Sequence, residues 1–120
     1  MGAFMFVAYA IVGVLLAIML LASAAAKLTK NKQIVEGLTG IGVPIGMFPF
    51  LAACEIAGAA GLVIGLWYGP LGVAAAIGVV LYFVGAVGAH LRKSDFKGLP
   101  NALVMLIAAA AVLVLRVLSL

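Results

Sequence analysis

Between residues 3 and 26 the chain carries no charged side chain, and the first cation, Lys27, opens a short basic segment with Lys30 and Lys32. A second apolar stretch runs from Gly46 to Tyr68, broken by one charge, Glu55, and closed by Trp67 and Tyr68. A third runs from Pro70 to about Leu91, and a fourth from Leu99 to Leu120 with Arg116 near its end. A helix needs about 20 mainly apolar residues to cross the hydrocarbon of a bilayer, so each stretch predicts one crossing. The expectation is an all-α membrane protein, a four-helix transmembrane bundle in one domain over residues 1–120, with both termini on the same side.

The punctuation between the stretches sets how they connect. Gly69-Pro70 is a turn so short that the second and third crossings must pack antiparallel. In residues 27–45, the segment from Gln33 to Leu38 predicts one or two helical turns at the interface. Gly40, Gly42 and Pro44 then forbid a continuous helix before about Gly46, leaving a loop or a shallow re-entrant piece. Pro49 falls near the first turn of the second helix, where its missing N–H costs nothing. The Ala22-Ser23-Ala24 triplet has the look of a signal-peptide cleavage site, but no Lys or Arg precedes the long apolar run, so the first stretch is expected to be retained as a span.

Composition agrees with a membrane protein and removes several other classes. Of 120 residues, 68% are hydrophobic and 8% charged, and the mean hydropathy is +1.43, far from the mix of soluble domains. The net charge of +4 reports topology rather than nucleic-acid binding, because the cations form no contiguous basic face. Lys27, Lys30, Lys32, Arg92, Lys93 and Lys97 fall in residues 27–45 and 92–98, against Arg116 alone at the other end. By the positive-inside rule both loops are cytoplasmic, the termini lie outside, and Arg116 snorkels to the far interface. The localisation expected is a membrane bordering the cytoplasm. Cys54 is the sole cysteine, which excludes an intrachain disulfide or a Cys-x-x-Cys redox pair, and a single His excludes a bis-His metal site within the chain. No metal is expected.

Small residues are dense in the second and third spans, with a Gly-x-x-x-Gly step at Gly61 and Gly65 and further glycines at 72, 78, 85 and 88. Lipid supplies no hydrophobic drive between helices, so close backbone approach through such residues holds a bundle together. The reading preferred is packing within one chain; a homodimer stays open.

Glu55 is the sharpest chemical signal, since an acid near the centre of a span costs about 2.5–3.5 kcal/mol on insertion scales. Its expected partner is Lys27, closing the first helix, with His90 at the end of the third helix second. Ser23 lies one turn before Lys27, Tyr82 two turns inward from His90, and Asn101 in the first turn of the fourth helix. Together these six outline a shallow polar pocket for a ligand or a proton. A strut that fixes helix register is the competing reading of Glu55. Asp95 is expected in a solvated role, capping the loop or pairing with basic neighbours.

The order and spacing of Ser23-Ala24-Ala25-Ala26-Lys27-Leu28, Gly42-Val43-Pro44, Glu55 with Gly58 and Gly61, and Ala89-His90-Leu91-Arg92 resemble the DoxX family of small bacterial membrane proteins. That resemblance implies an accessory membrane subunit in redox or thiol-stress settings, located in the bacterial cytoplasmic (inner) membrane. Relatives include the membrane subunit of a thiosulfate:quinone oxidoreductase and a membrane partner of superoxide dismutase and a sulfurtransferase; distant animal relatives are receptor-assembly chaperones. It also carries Lys27, Glu55 and His90 over as the candidate polar site. The first function expected is a subunit without catalytic activity of its own, its pocket binding a quinone or lipid and its bundle docking a soluble or membrane redox protein. The second is a small proton-coupled transporter acting as a dimer, although the small multidrug exporters of similar outline carry their acid in the first helix. The third is an assembly or chaperone module with no ligand.

Overall fold

The computed structural model describes residues 2–120. Five α-helices follow one another: α1 (Gly2–Leu28), α2 (Lys32–Gly40), α3 (Phe48–Ile64), α4 (Gly69–Arg92) and α5 (Leu99–Leu118), with a 3₁₀ turn at Ile45–Met47 leading into α3. Among the described residues there is no strand. Four helical segments, α1, Ile45–Ile64, α4 and α5, are long and apolar enough to cross a membrane. At about 1.5 Å per residue the 27 residues of α1 run about 40 Å, close to the 44 Å long axis of the molecule.

The four long helices form an up-down-up-down bundle. α1 packs on α3, α3 on α4, α4 on α5, and α5 closes back on α1, the arrangement that short connections impose on consecutive antiparallel helices. Leu16 and Leu20 of α1, Leu62 of α3, Val79 and Phe83 of α4, and Met105 and Val112 of α5 fill the centre. Outward-facing apolar side chains such as Phe4, Ile11, Leu81 and Ile107 are exposed, as expected where lipid is the solvent. The result is a multi-pass membrane protein with the start of α1, the α3–α4 turn and the end of α5 together at one end, the hairpin end. The opposite, basic end carries α2 and the α4–α5 loop.

Gly61 and Gly65 are used inside the chain. A Cβ on Gly61 would lie 2.6 Å from the Ala75 Cβ, and one on Gly65 would run into the backbone of Gly72. This Gly-x-x-x-Gly step therefore seats α3 against α4. Gly78, Gly85 and Gly88 have nothing within 4 Å of such a Cβ, so they take no part in that close contact.

The elements differ from the sequence reading in three places. The second span stops as a helix at Ile64 rather than Tyr68: Gly65 is its cap, residues 66–68 wind through turns, and Tyr68 turns extended before Gly69-Pro70 starts α4. Residues 32–40 form a nine-residue helix, longer than the one or two turns expected. The Asn31 side chain starts it by accepting from the Gln33 N–H at 3.0 Å. Finally, Arg116 does not snorkel: it is 6% exposed. Its Nε donates to the Gly65 carbonyl at 3.0 Å and its Nη1 to Ser119 Oγ at 2.7 Å. The guanidinium also stands over the rings of Phe6 and Tyr9 at 5.3 and 5.1 Å. The turn after Ile64 leaves a carbonyl that a buried fork of donors can satisfy, and the aromatic faces stabilise the charge.

Candidate functional site

The site begins with the register between α1 and α3. Lys27 ends α1, so its ammonium is placed where the helix carbonyls favour a cation. Ser23, one turn earlier on the same face, accepts a hydrogen bond from Lys27 Nζ at 2.8 Å. Glu55 lies seven residues into α3, about two turns from its start. Lys27 Nζ spans the α1–α3 interface to Glu55 Oε1 at 2.8 Å.

Both members of this pair are out of solvent, Lys27 at 7% and Glu55 at 2% exposure. The ion pair disposes of two charges that would each be costly alone, yet its satisfaction is incomplete. Oε2 of Glu55 is the one buried side-chain polar atom among the described residues with no hydrogen-bond partner. A buried acceptor left unpaired costs about 1–3 kcal/mol, more when it is charged. Lys27 has three ammonium protons, and Ser23 and Glu55 take two of them.

His90 is in the last turn of α4 and does not join Glu55. Its Nδ1 lies 2.9 Å from Asp95 Oδ2, and the Asp95 N–H in turn donates to the His90 carbonyl at 2.8 Å. Asp95 Oδ1 accepts the Gly98 N–H at 3.4 Å just before α5 begins. The hydrogen bond from His90, followed by that from the Gly98 backbone, holds the Asp95 carboxyl below the usual carboxylate range. With the carboxylate accepting, Nδ1 carries the proton, and Nε2 can accept from a ligand or, once the ring is charged, donate to it. The place of residue 98 in this arrangement requires glycine, because a Cβ there would run into the His90 ring.

A cavity of about 710 Å³ opens at the basic end, and Ser23, Lys27, Glu55, Tyr82, His90 and Asn101 all line it. The six residues singled out in the sequence thus meet around one space, although they come from four helices. Gln33, Ile34, Gly37 and Leu38 of α2 cover one side, and Asp95, Lys97 and Gly98 another. The contribution of α2 and the His90–Asp95 contact were missed in the sequence; a His and an Asp five residues apart across a helix end was the available signal. Gly42, at φ +91°, lets the loop after α2 pass close to the Lys93 side chain, with Cε 3.5 Å from its would-be Cβ. The two basic loops therefore adjoin, and Lys30, Lys32, Arg92, Lys93 and Lys97 are exposed around the mouth. Among the described residues no three His, Cys, Asp or Glu side chains stand close enough to hold a metal ion.

A four-span antiparallel bundle with a buried Lys–Glu pair beneath a polar cavity defines the structural class. Residues 11–112 match the model of the DoxX-like family, and the chain belongs to that family. The matched stretch includes the six residues singled out in the sequence and leaves out Arg116. Comparison with curated proteins and with solved structures gives no match.

Proposed function

We propose that this protein is an accessory subunit of a membrane redox assembly, in the bacterial inner membrane with its basic end cytoplasmic, and that the cavity over Lys27 and Glu55 binds the headgroup of a quinone or lipid. The observation that carries this reading is the half-satisfied carboxylate: Glu55 is buried, one oxygen is held by Lys27 and the other has no partner. A strut needs no cavity above it, whereas here about 710 Å³ of space adjoins the pair. Donors and acceptors stand together there, with Lys27, Tyr82 and Asn101 able to donate and Glu55 and the His90 Nε2 able to accept.

The residues present fit a quinone, whose reduced form brings hydroxyls that can donate to the unpaired oxygen of Glu55. The quinone's carbonyl oxygens accept hydrogen bonds, which the third proton of Lys27 or the Tyr82 hydroxyl supplies, and bound quinone would supply two-electron carrier chemistry to a partner. The exposed cations around the mouth favour an acidic docking surface on that partner and anionic lipid beside it. The chain's own part is to bind, orient and keep the headgroup near the membrane surface. Binding of a quinone in its reduced, hydroxyl-bearing form to the purified protein in proteoliposomes tests this directly: Glu55→Gln and His90→Ala should each weaken it, and unchanged binding in both variants overturns the proposal.

A further inference from the structure

A second cavity, of about 530 Å³, lies between α3 and α4. Ala57, Gly58, Ala75 and Gly78 form part of its walls beside larger side chains such as Leu81, and Cys54 lies along it. Ala57 and Gly78 are exposed on the outer surface of the bundle, so this is a groove open toward lipid and not an internal void. Glu55 and Tyr82 line it, and the same two residues line the cavity at the basic end. Glu55 therefore stands where a surface groove and a polar cavity meet, with its second oxygen unpartnered.

We infer that this groove receives the apolar tail of a hydroxyl-headed amphiphile that enters sideways from the bilayer, its hydroxyl donating to Glu55 Oε2. The inference rests on the reading of Glu55 as a ligand-binding group and adds the route and the form of the ligand. The groove is apolar where a chain would lie and polar only at its inner end. The carboxylate oxygen there can accept but not donate, so the complementary head must bring a donor. A fully oxidised quinone has only acceptor oxygens; its reduced form carries hydroxyls, as does the free hydroxyl of a glyceride. Both sources share this chemistry, a neutral hydroxyl-bearing head on an apolar chain. A hydrogen bond to a charged acceptor is worth about 1.5–3 kcal/mol, which predicts about tenfold or greater preference for the hydroxyl form over its oxidised counterpart.

Gly78 offers a clean way to fill the groove. A Cβ there meets nothing within 4 Å, whereas one on Gly58 would lie 2.8 Å from Val79 Cγ2. Gly78→Leu should therefore fold normally and occupy the tail site, and Ala57→Leu is a second plug on the facing helix. Cys54, the sole cysteine, reports occupancy through its rate of alkylation by N-ethylmaleimide. The experiment uses the full chain in nanodiscs with decylubiquinol, with decylubiquinone, which has the same tail and no donor, and with monoolein. Decylubiquinol or monoolein should slow alkylation, decylubiquinone much less, and Gly78→Leu should abolish ligand binding to the nanodisc protein. Protection by monoolein alone supports the same chemistry with lipid as its source. Equal protection by quinol and quinone overturns the hydroxyl assignment. If Glu55→Gln removes binding while both plugs leave it intact, the groove inference fails and the polar pocket stands; if no variant changes binding, both fail. If Gly78→Leu converts a dimer to a monomer without changing Cys54 protection, a second copy covers the groove, and the inference is overturned.

Discussion

Lys27 at the end of α1 and Glu55 two turns into α3 face each other across the helix interface with 2.8 Å between nitrogen and oxygen. This contact ties two spans at one depth and makes the basic end of the bundle depend on a charge pair rather than on apolar packing alone. Its two charges are buried together, so each is a liability without the other.

Removing one partner should therefore be more harmful than removing both. Lys27→Met leaves the Glu55 carboxylate buried and uncompensated, a change that typically costs about 3–5 kcal/mol. The Lys27→Met/Glu55→Gln double variant should recover part of that loss. Thermal unfolding of the four proteins of this cycle in detergent checks it, and strictly additive effects would show that the pair is not coupled.

At the α4–α5 loop, Gly98→Ala should push the His90 ring away from Asp95. The Asp95 carboxyl should then titrate nearer its ordinary value of 3.8, from which the folded protein lowers it. Because the folded-state value is depressed, the contact adds stability that is fully present above the unfolded value and is lost as pH falls through the folded one. Carboxyl titration of Asp95 by NMR in wild type, Gly98→Ala and His90→Ala measures the shift; an Asp95 titration identical in all three contradicts it.

Arg116 should prove structural. Its fork joins the Gly65 carbonyl to Ser119 under two aromatic rings, a geometry a lysine ammonium cannot reproduce. Both Arg116→Lys and Arg116→Leu should lower the melting temperature, by the loss of a charged hydrogen bond worth about 1.5–3 kcal/mol. Ligand binding at the opposite end of the bundle should be retained at the wild-type affinity, which titration of the folded variants below their melting temperatures reads separately.

The glycines separate into two groups by what surrounds them. Gly61→Val drives a side chain into Ala75 and should destabilise the α3–α4 contact. Gly85→Ala and Gly88→Ala meet nothing within 4 Å and should be neutral or stabilising by up to about 1 kcal/mol, through helix propensity. Melting curves rank the three variants, and size-exclusion chromatography of the last two shows whether that outer face of α4 also joins a second copy.

How much of this could be read in the sequence follows from which interactions are local or forced. Four apolar stretches of spanning length, with at most one charge each, leave little choice but four spans. A single acid in one of them needs a cation, and Lys27 at the end of its neighbour is the obvious candidate, so the α1–α3 pair was legible. The contact between His90 and Asp95 was not, because it depends on how the chain turns after Arg92, a matter of loop geometry rather than hydrophobic pattern. Arg116 was misread for a related reason: snorkelling is the default for a cation near a span end, and only the early end of α3 at Ile64 exposes the Gly65 carbonyl that draws it inward. Nor did the pattern show that α2 would cover the cavity, since its half-buried Ile34, Val35 and Leu38 look the same on an interfacial helix that covers nothing.

The most direct test of the central claim is native mass spectrometry of the purified protein with co-extracted lipids and quinones retained, comparing wild type with Glu55→Gln. The account predicts a specific small molecule bound to the wild type and lost from the variant while its oligomeric state is unchanged. A wild-type protein that carries no such molecule, or a variant that retains it in full, would contradict the account and leave Glu55 as a strut between helices.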